Sequence, residues 1–116
     1  EGSERRSQAE NRGMALKRLR LKLALEHREP ARAAASATWQ RRTRGRQLVI
    51  AAGHDDYPAL VAEALDRLQG TAWQMAPAAE ALGISTTQLV GLFRKAPAAW
   101  TRLNAFRSAA GLPPIH

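Results

Sequence analysis

Apolar positions in the second half of the chain recur at the three- and four-residue intervals of amphipathic helices. Glycine and proline residues divide this half into helical segments, the later ones over about 75–82, 86–95 and 97–109. The pattern predicts an all-α fold, a small helical bundle over residues 47–116. The clearest stripe, ended by Gly70, consists of Leu60, Val61, Ala64, Leu65 and Leu68. Further core residues are expected to be Trp73, Leu82, Ile84, Leu92, Phe93, Trp100, Leu103 and Phe106.

Two of the predicted helices are separated by a short turn. Ala79, Gly83 and Leu89 have the spacing of a helix-turn-helix, in which the glycine adopts a positive φ angle. Because residues 47–116 carry five basic and five acidic side chains, a scaffold or docking role is favoured over DNA reading. Gln88 could read adenine or cap a turn. The candidate DNA contacts are Thr86, Thr87, Gln88, Arg94 and Lys95.

The first half of the chain has a different pattern. Good helix formers extend from Ser3 to about His27, and Glu29-Pro30 ends this segment. The alternation over 19–25 is typical of a strand, but leucine in place of β-branched residues favours a helix. Two stripes would lie on opposite faces of this helix: Leu16, Leu19 and Leu23, and Met14, Leu21 and Leu25.

Charge separates the same two regions. Residues 1–46 contain thirteen Arg or Lys and five Glu, a net charge of +8 that equals the net charge of the whole chain. We expect residues 1–46 to form a basic arm that lacks a packing partner, either partly disordered or a loosely tethered helix. An Ala-rich helix over about 31–41 is expected within it. Such an arm favours a polyphosphate partner, because bound cations release condensed counterions.

The expected nucleic-acid-binding residues follow from this charge distribution. They are Arg5, Arg6, Arg12, Lys17, Arg18, Arg20, Lys22, Arg41, Arg42, Arg44 and Arg46. Trp39 precedes the last four arginines. It could stack on an unpaired base or dock the segment onto the helical domain, and the sequence does not separate these alternatives.

Other chemistry has little support in the sequence. The chain has no cysteine, and its three histidines lack the spacing of metal ligands, so we expect no metal and no cofactor. Asp55 and Asp56 are interpreted as a helix start. No apolar run reaches the roughly twenty residues that cross a bilayer, and no signal peptide is recognisable. We expect a cytoplasmic monomer without a membrane partner.

Several segments resemble a known family. Arg6-Ser7-Gln8-x-x-Asn11-x-x-x-Ala15-x-x-x-Leu19 resembles the stretch that closes the catalytic domain of class I peptide chain release factors and their ribosome-rescue relatives. Three downstream segments are similar to the C-terminal extension of bacterial release-factor-like proteins. They are residues 56–65, residues 82–90 and Gly111-Leu112-Pro113-Pro114.

The resemblance implies a role in translation termination or ribosome rescue, with ribosomal or transfer RNA as the partner of the basic arm. The family hydrolyses peptidyl-tRNA with a Gly-Gly-Gln loop, and these residues contain no such tripeptide. We therefore expect a non-enzymatic piece of a longer protein, in which the helical domain docks or orients the factor. The alternatives are a helix-turn-helix DNA-binding regulator and a protein–protein interaction module.

Overall fold

The computed structural model describes the backbone from Gly2 to His116 and the side chains from Arg12 onward. The predicted contacts Arg5 and Arg6 therefore have side chains outside the described residues. The all-α fold class is confirmed, with one two-stranded antiparallel hairpin added. The elements are α1 (Gly2–Glu26), α2 (Ala37–Arg41), β1 (Thr43–Arg44), β2 (Gln47–Leu48), α3 (Tyr57–Gly70), α4 (Met75–Leu82), α5 (Thr86–Arg94) and α6 (Pro97–Ala109).

Helix α3 lies at the centre of the bundle, and all five residues of its predicted stripe are fully buried. Of the other expected core residues, the aliphatic ones and Phe93 are also buried. The remaining aromatics are half-buried at the edge of the core: Trp73 stacks on Phe106 with 4.3 Å between ring centroids, and the guanidinium of Arg94 lies 5.1 Å from the Trp100 ring. Helices α4 and α5 pack on α3 and on each other.

Helices α3 and α4 end at the glycines that the sequence predicts. Gly83 ends α4 with a φ of 74°, and Ser85 begins α5 by accepting a hydrogen bond from the amide of Gln88. Gly70 is the last residue of α3, but the left-handed conformation falls on Ala72 and Trp73. The buried Arg107 holds this strained turn by donating to the Trp73 carbonyl at 2.6 Å.

Helix α1 confirms the helical interpretation of the alternating leucines, and its two apolar stripes have different environments. In the stripe of Met14, Leu21 and Leu25, Leu25 is buried and Leu21 is partly buried against the core, where α1 packs on α3, whereas Met14 is exposed. The opposite stripe remains exposed, with exposed fractions of 47%, 52% and 56% for Leu16, Leu19 and Leu23. The packing partner of one face of α1 is thus present in this chain, contrary to the expectation of an arm without one.

The segment after α1 also departs from the expectation, because only Ala37–Arg41 of the Ala-rich stretch is helical. Residues 27–36 instead bond to acidic side chains of α3. The amide of Glu29 donates to the Asp66 carboxylate at 3.0 Å, and the amide of Ser36 donates to that of Glu63 at 2.8 Å. These bonds replace the helical hydrogen bonds that alanine propensity alone would favour.

The hairpin crosses the expected boundary between the arm and the helical domain. Thr43 pairs with Leu48 and Arg44 pairs with Gln47, so strands on either side of residue 46 form one ladder. Trp39 and Leu48 are both buried in the common core. The expected loose tethering of residues 1–46 is therefore wrong for the stretch 25–46, because its apolar side chains contribute to the core.

Candidate nucleic-acid interface

Five basic residues that were predicted to bind nucleic acid lie in the described part of α1. All five are exposed: Arg12, Lys17, Arg18, Arg20 and Lys22. The only acidic residue from position 12 to the end of this helix is Glu26, which is also exposed. At 100° per residue these five cations are distributed around the helix, and the exposed leucine stripe lies among them.

An ion pair between Arg28, two residues after α1, and Asp66 of α3 fixes the C-terminal end of α1 on the bundle. Arg28 donates to the carboxylate of Asp66 at 2.8 Å and to the carbonyl of Ala62 at 3.1 Å, and the side chains of both charged residues are about 15% exposed. Burial raises the pKa of Asp66 and lowers the pKa of Arg28. Burial thus opposes both charges, and their mutual attraction offsets only part of this cost. Each charge of the pair is stabilised by the other, and the pair thereby fixes the position of the end of α1.

The four arginines of the cluster at 41–46 fall into two groups, those that bond to other segments of the chain and those that bond only within their own segment. Arg42 donates to the carboxylate of Asp56 at 2.8 Å, and this bond lowers the pKa of that aspartate. Arg46 donates to the Ile84 carbonyl at 3.1 Å and lies 3.3 Å from a carboxylate oxygen of Glu80. Arg41 and Arg44 are exposed, and their side chains bond only to oxygens of the same segment.

Arg42 and Trp39, which the sequence suggested as nucleic-acid contacts, instead have structural partners within the fold. Arg42 fixes the segment before α3 through Asp56, whose carboxylate makes no capping bond to that helix. Trp39 is 1% exposed, and its indole nitrogen donates to the carbonyl of Leu82 at 2.9 Å. Of the two roles considered for Trp39, docking is confirmed and base stacking is excluded in this conformation.

The candidate DNA contacts on α5 have unequal exposure. Thr86, Thr87 and Lys95 are exposed, whereas the side-chain oxygen of Gln88 accepts a hydrogen bond from the amide of Leu48 at 3.1 Å. Arg94 is exposed but engaged, because its guanidinium donates to the carbonyl of His116 and lies over Trp100. Gln88 is therefore a hairpin anchor, a role that neither adenine reading nor turn capping anticipates.

The sequence did not predict that the β1–β2 hairpin lies against the start of α5. The amide of Ser85, the residue before α5, donates to the carbonyl of Arg46 at 3.1 Å. The two residues are 39 positions apart. The only sequence signal was the Gly45-Arg46 pair, because a glycine in the first position is compatible with a two-residue hairpin turn.

Groups suited to other chemistry have structural partners. Burial raises the pKa of Tyr57 to about 12, and its hydroxyl donates to the Leu92 carbonyl at 2.7 Å. His54 contacts Arg42 and accepts a hydrogen bond from the amide of Asp56. Among the described residues, no three His, Cys, Asp or Glu side chains are grouped as metal ligands would be. Within the same part of the chain, none of the helices combines the length and apolarity that a bilayer crossing requires.

Comparison with known proteins adds no relative to this picture. No protein-family model, no curated protein and no solved structure matches the chain. Its function is therefore inferred from its own charges and contacts, together with the segments quoted above.

Proposed function

We propose that this chain is the C-terminal region of a release-factor-like protein of translation termination or ribosome rescue, and that α1 binds ribosomal or transfer RNA. The motif from Arg6 to Leu19, on which the resemblance rests, lies within the single helix α1. This placement agrees with the long helix that the motif opens in the family. The chain contains no Gly-Gly-Gln loop, so the proposed role of this region is binding and orientation.

The observation that carries the proposal is the exposure of all five basic side chains on the described part of α1. Exposed cations gain little from isolated surface ion pairs. Against a phosphate backbone the same cations release condensed counterions, which is the main source of sequence-independent affinity for nucleic acids. RNA binding therefore accounts for a charge distribution that the fold does not require.

The attachment of α1 gives the helical domain its proposed role. The pair of Arg28 and Asp66 ties the helix end to α3, and α3 packs on α4. RNA bound along α1 would therefore fix the orientation of the whole bundle. We propose that the bundle docks or orients the factor on the ribosome.

Salt-dependent binding tests the proposal. A labelled ribosomal RNA fragment is titrated with the full chain and with Lys17→Gln/Arg20→Gln, and anisotropy is recorded across salt concentrations. Loss of two phosphate contacts should reduce the log–log salt slope by about 1.4 to 1.8. The control, Arg32→Gln/Arg67→Gln, removes the same charge outside α1. Equal slopes for all three proteins would refute RNA binding by α1.

A protein–protein interaction role is the second candidate, and the exposed stripe of Leu16, Leu19 and Leu23 favours it. RNA phosphates give no reason for three leucines to be about half exposed on one helix face. Ribosome co-sedimentation separates the two roles. Loss of binding in the variant Leu16→Ser/Leu19→Ser/Leu23→Ser, with binding retained in Lys17→Gln/Arg20→Gln, would indicate a ribosomal protein as the contact. The DNA-binding alternative loses Gln88, which is bonded to the hairpin.

A further inference from the structure

Two hydrogen bonds attach the β1–β2 hairpin to the start of α5. The amide of Ser85 donates to the Arg46 carbonyl, and the amide of Leu48 donates to the side-chain oxygen of Gln88, both at 3.1 Å. Arg46 adds a third bond from its guanidinium to the carbonyl of Ile84. Thr86 and Thr87 follow directly after these contacts. Strand β2 and the first turn of α5 thus lie side by side, and β1 with Arg44 is the neighbouring strand.

The strand register determines which hairpin side chains face solvent. Directly opposed residues of an antiparallel pair lie on the same face. Thr43 and Leu48 face inward, and Leu48 is buried, so the opposed pair Arg44 and Gln47 faces solvent. Arg41 lies beside this pair, since Arg44 donates to its carbonyl at 3.2 Å.

The hairpin is also anchored to the core through Trp39 and Arg42, and this fixes the backbone of its arginines before any partner binds. Trp39 is fully buried under the segment, and its carbonyl accepts a hydrogen bond from the Thr43 hydroxyl at 2.8 Å. Arg42 anchors the base of the hairpin to Asp56. A rigid base reduces the ordering cost that flexible loops incur on binding.

We propose that the hairpin and the first turn of α5 together bind the backbone of a double-stranded RNA stem. In this arrangement Arg41 and Arg44 contact phosphates, while the hydroxyls of Thr86 and Thr87 contact sugar 2′-hydroxyls. The surface is cationic because the hairpin brings its arginines next to a helix whose own domain is neutral. The inference rests on the proposed function, which makes RNA the partner.

The position of the aromatic side chains favours a paired stem over a single strand. Single-strand binding relies on aromatic side chains on which unpaired bases stack. The nearest aromatic along the hairpin segment, Trp39, is 1% exposed. Elsewhere in the described residues, Tyr57 and Phe93 are buried and the other three aromatics are partly buried at the core edge. Backbone recognition of a duplex requires no such stacking.

Titration of a labelled RNA stem of twenty base pairs with the full chain tests this surface. Arg41→Gln/Arg44→Gln should weaken binding about tenfold, as expected for two lost solvent-exposed charge contacts, and lower the salt slope by more than one. Thr86→Val/Thr87→Val should weaken binding two- to fivefold with an unchanged slope, because hydroxyl contacts release no counterions. Arg32→Gln/Arg67→Gln controls for charge, and thermal melting controls for folding.

Each outcome separates this surface from the role of α1. If either the hairpin variant or the threonine variant binds like the control, the combined surface is refuted, whatever Lys17→Gln/Arg20→Gln shows. If only the α1 variant weakens binding, the proposed function survives and this inference fails. A DNA duplex of the same sequence should bind less tightly and be insensitive to the threonine changes. Equal affinity for both duplexes would overturn the assignment to RNA.

Discussion

The outer part of α1 and the segment from Ser36 to Ile50 are both basic, yet they differ in how they join the fold. The described cations of α1 are exposed along with the leucine stripe of the same helix. In the second segment Arg42 and Arg46 bond to acidic side chains and carbonyls of the bundle. Net charge therefore does not tell which basic residues are available to a partner.

The difference arises from the apolar residues between the charges. The segment contains Trp39, Leu48 and Ile50, all buried, and these anchors bring its arginines within reach of fixed acceptors. Among the α1 side chains that the structure describes, only Leu21 and Leu25 reach the core, near the end of the helix. The buried anchors thus bring Arg42 and Arg46 within reach of structural partners, whereas Arg41 and Arg44 of the same segment and the described cations of α1 remain exposed.

The largest expected effect is the loss of the Trp39 anchor. Trp39→Ala should lower the free energy of unfolding by about 3–5 kcal/mol, because it removes a fully buried ring and its hydrogen bond to Leu82. The matched change on α1, Leu19→Ala at a side chain that is 52% exposed, should cost within about 0.5 kcal/mol. Urea denaturation measures both. Similar costs for the two variants would remove the distinction between the regions.

A smaller effect is expected at the joint between α1 and α3. Asp66→Ala leaves the half-buried guanidinium of Arg28 without its carboxylate and should cost about 2 kcal/mol, less than for a fully buried pair. Amide exchange should accelerate over the last turns of α1 while remaining slow at Leu65. Arg28→Met/Asp66→Leu removes both charges and should recover part of the stability. Failure of the double variant to recover any would indicate that geometry, not charge, holds the joint.

The smallest effect concerns pH and the Arg42–Asp56 pair. The pKa of Asp56 is lowered in the folded state, so its contribution to stability is present above the ordinary aspartate pKa. That contribution is lost as the pH falls through the lowered value. The wild type should therefore be more stable than Asp56→Asn at pH 6, and the difference should vanish in acid. A difference independent of pH would exclude the ion pair as its source.

Local patterns predicted the helical half well, because its signals act over short distances. The α3 stripe and the glycine at position 83 each follow from spacing or from a φ angle that neighbouring residues determine. Gly70 ends α3 as predicted, but the left-handed conformation of Ala72 and Trp73 beyond it does not follow from such local signals. The tolerance of these residues for positive φ depends on Arg107, which is distant in sequence.

The candidate interface was predictable in composition but not in arrangement. Exposure of the α1 cations followed from a helix with few apolar anchors. The paired state of Arg42 and Arg46, the burial of Trp39 and the role of Gln88 depend on contacts 14 to 43 residues apart. Tertiary contacts of this kind leave no periodic trace in a single sequence, so the arginine cluster could only be treated as uniformly available.

The fixed joint at Arg28 and Asp66 has a mechanical consequence. A helix of 25 residues is about 38 Å long, and its C-terminal end is clamped to the bundle. Any rotation imposed on its far end is thus transmitted to α3 as torque, and a tilt of a few degrees displaces that end by several ångströms. Helix α1 therefore acts as a lever held at one end by the Arg28–Asp66 pair and by the packing of Leu21 and Leu25 on the core.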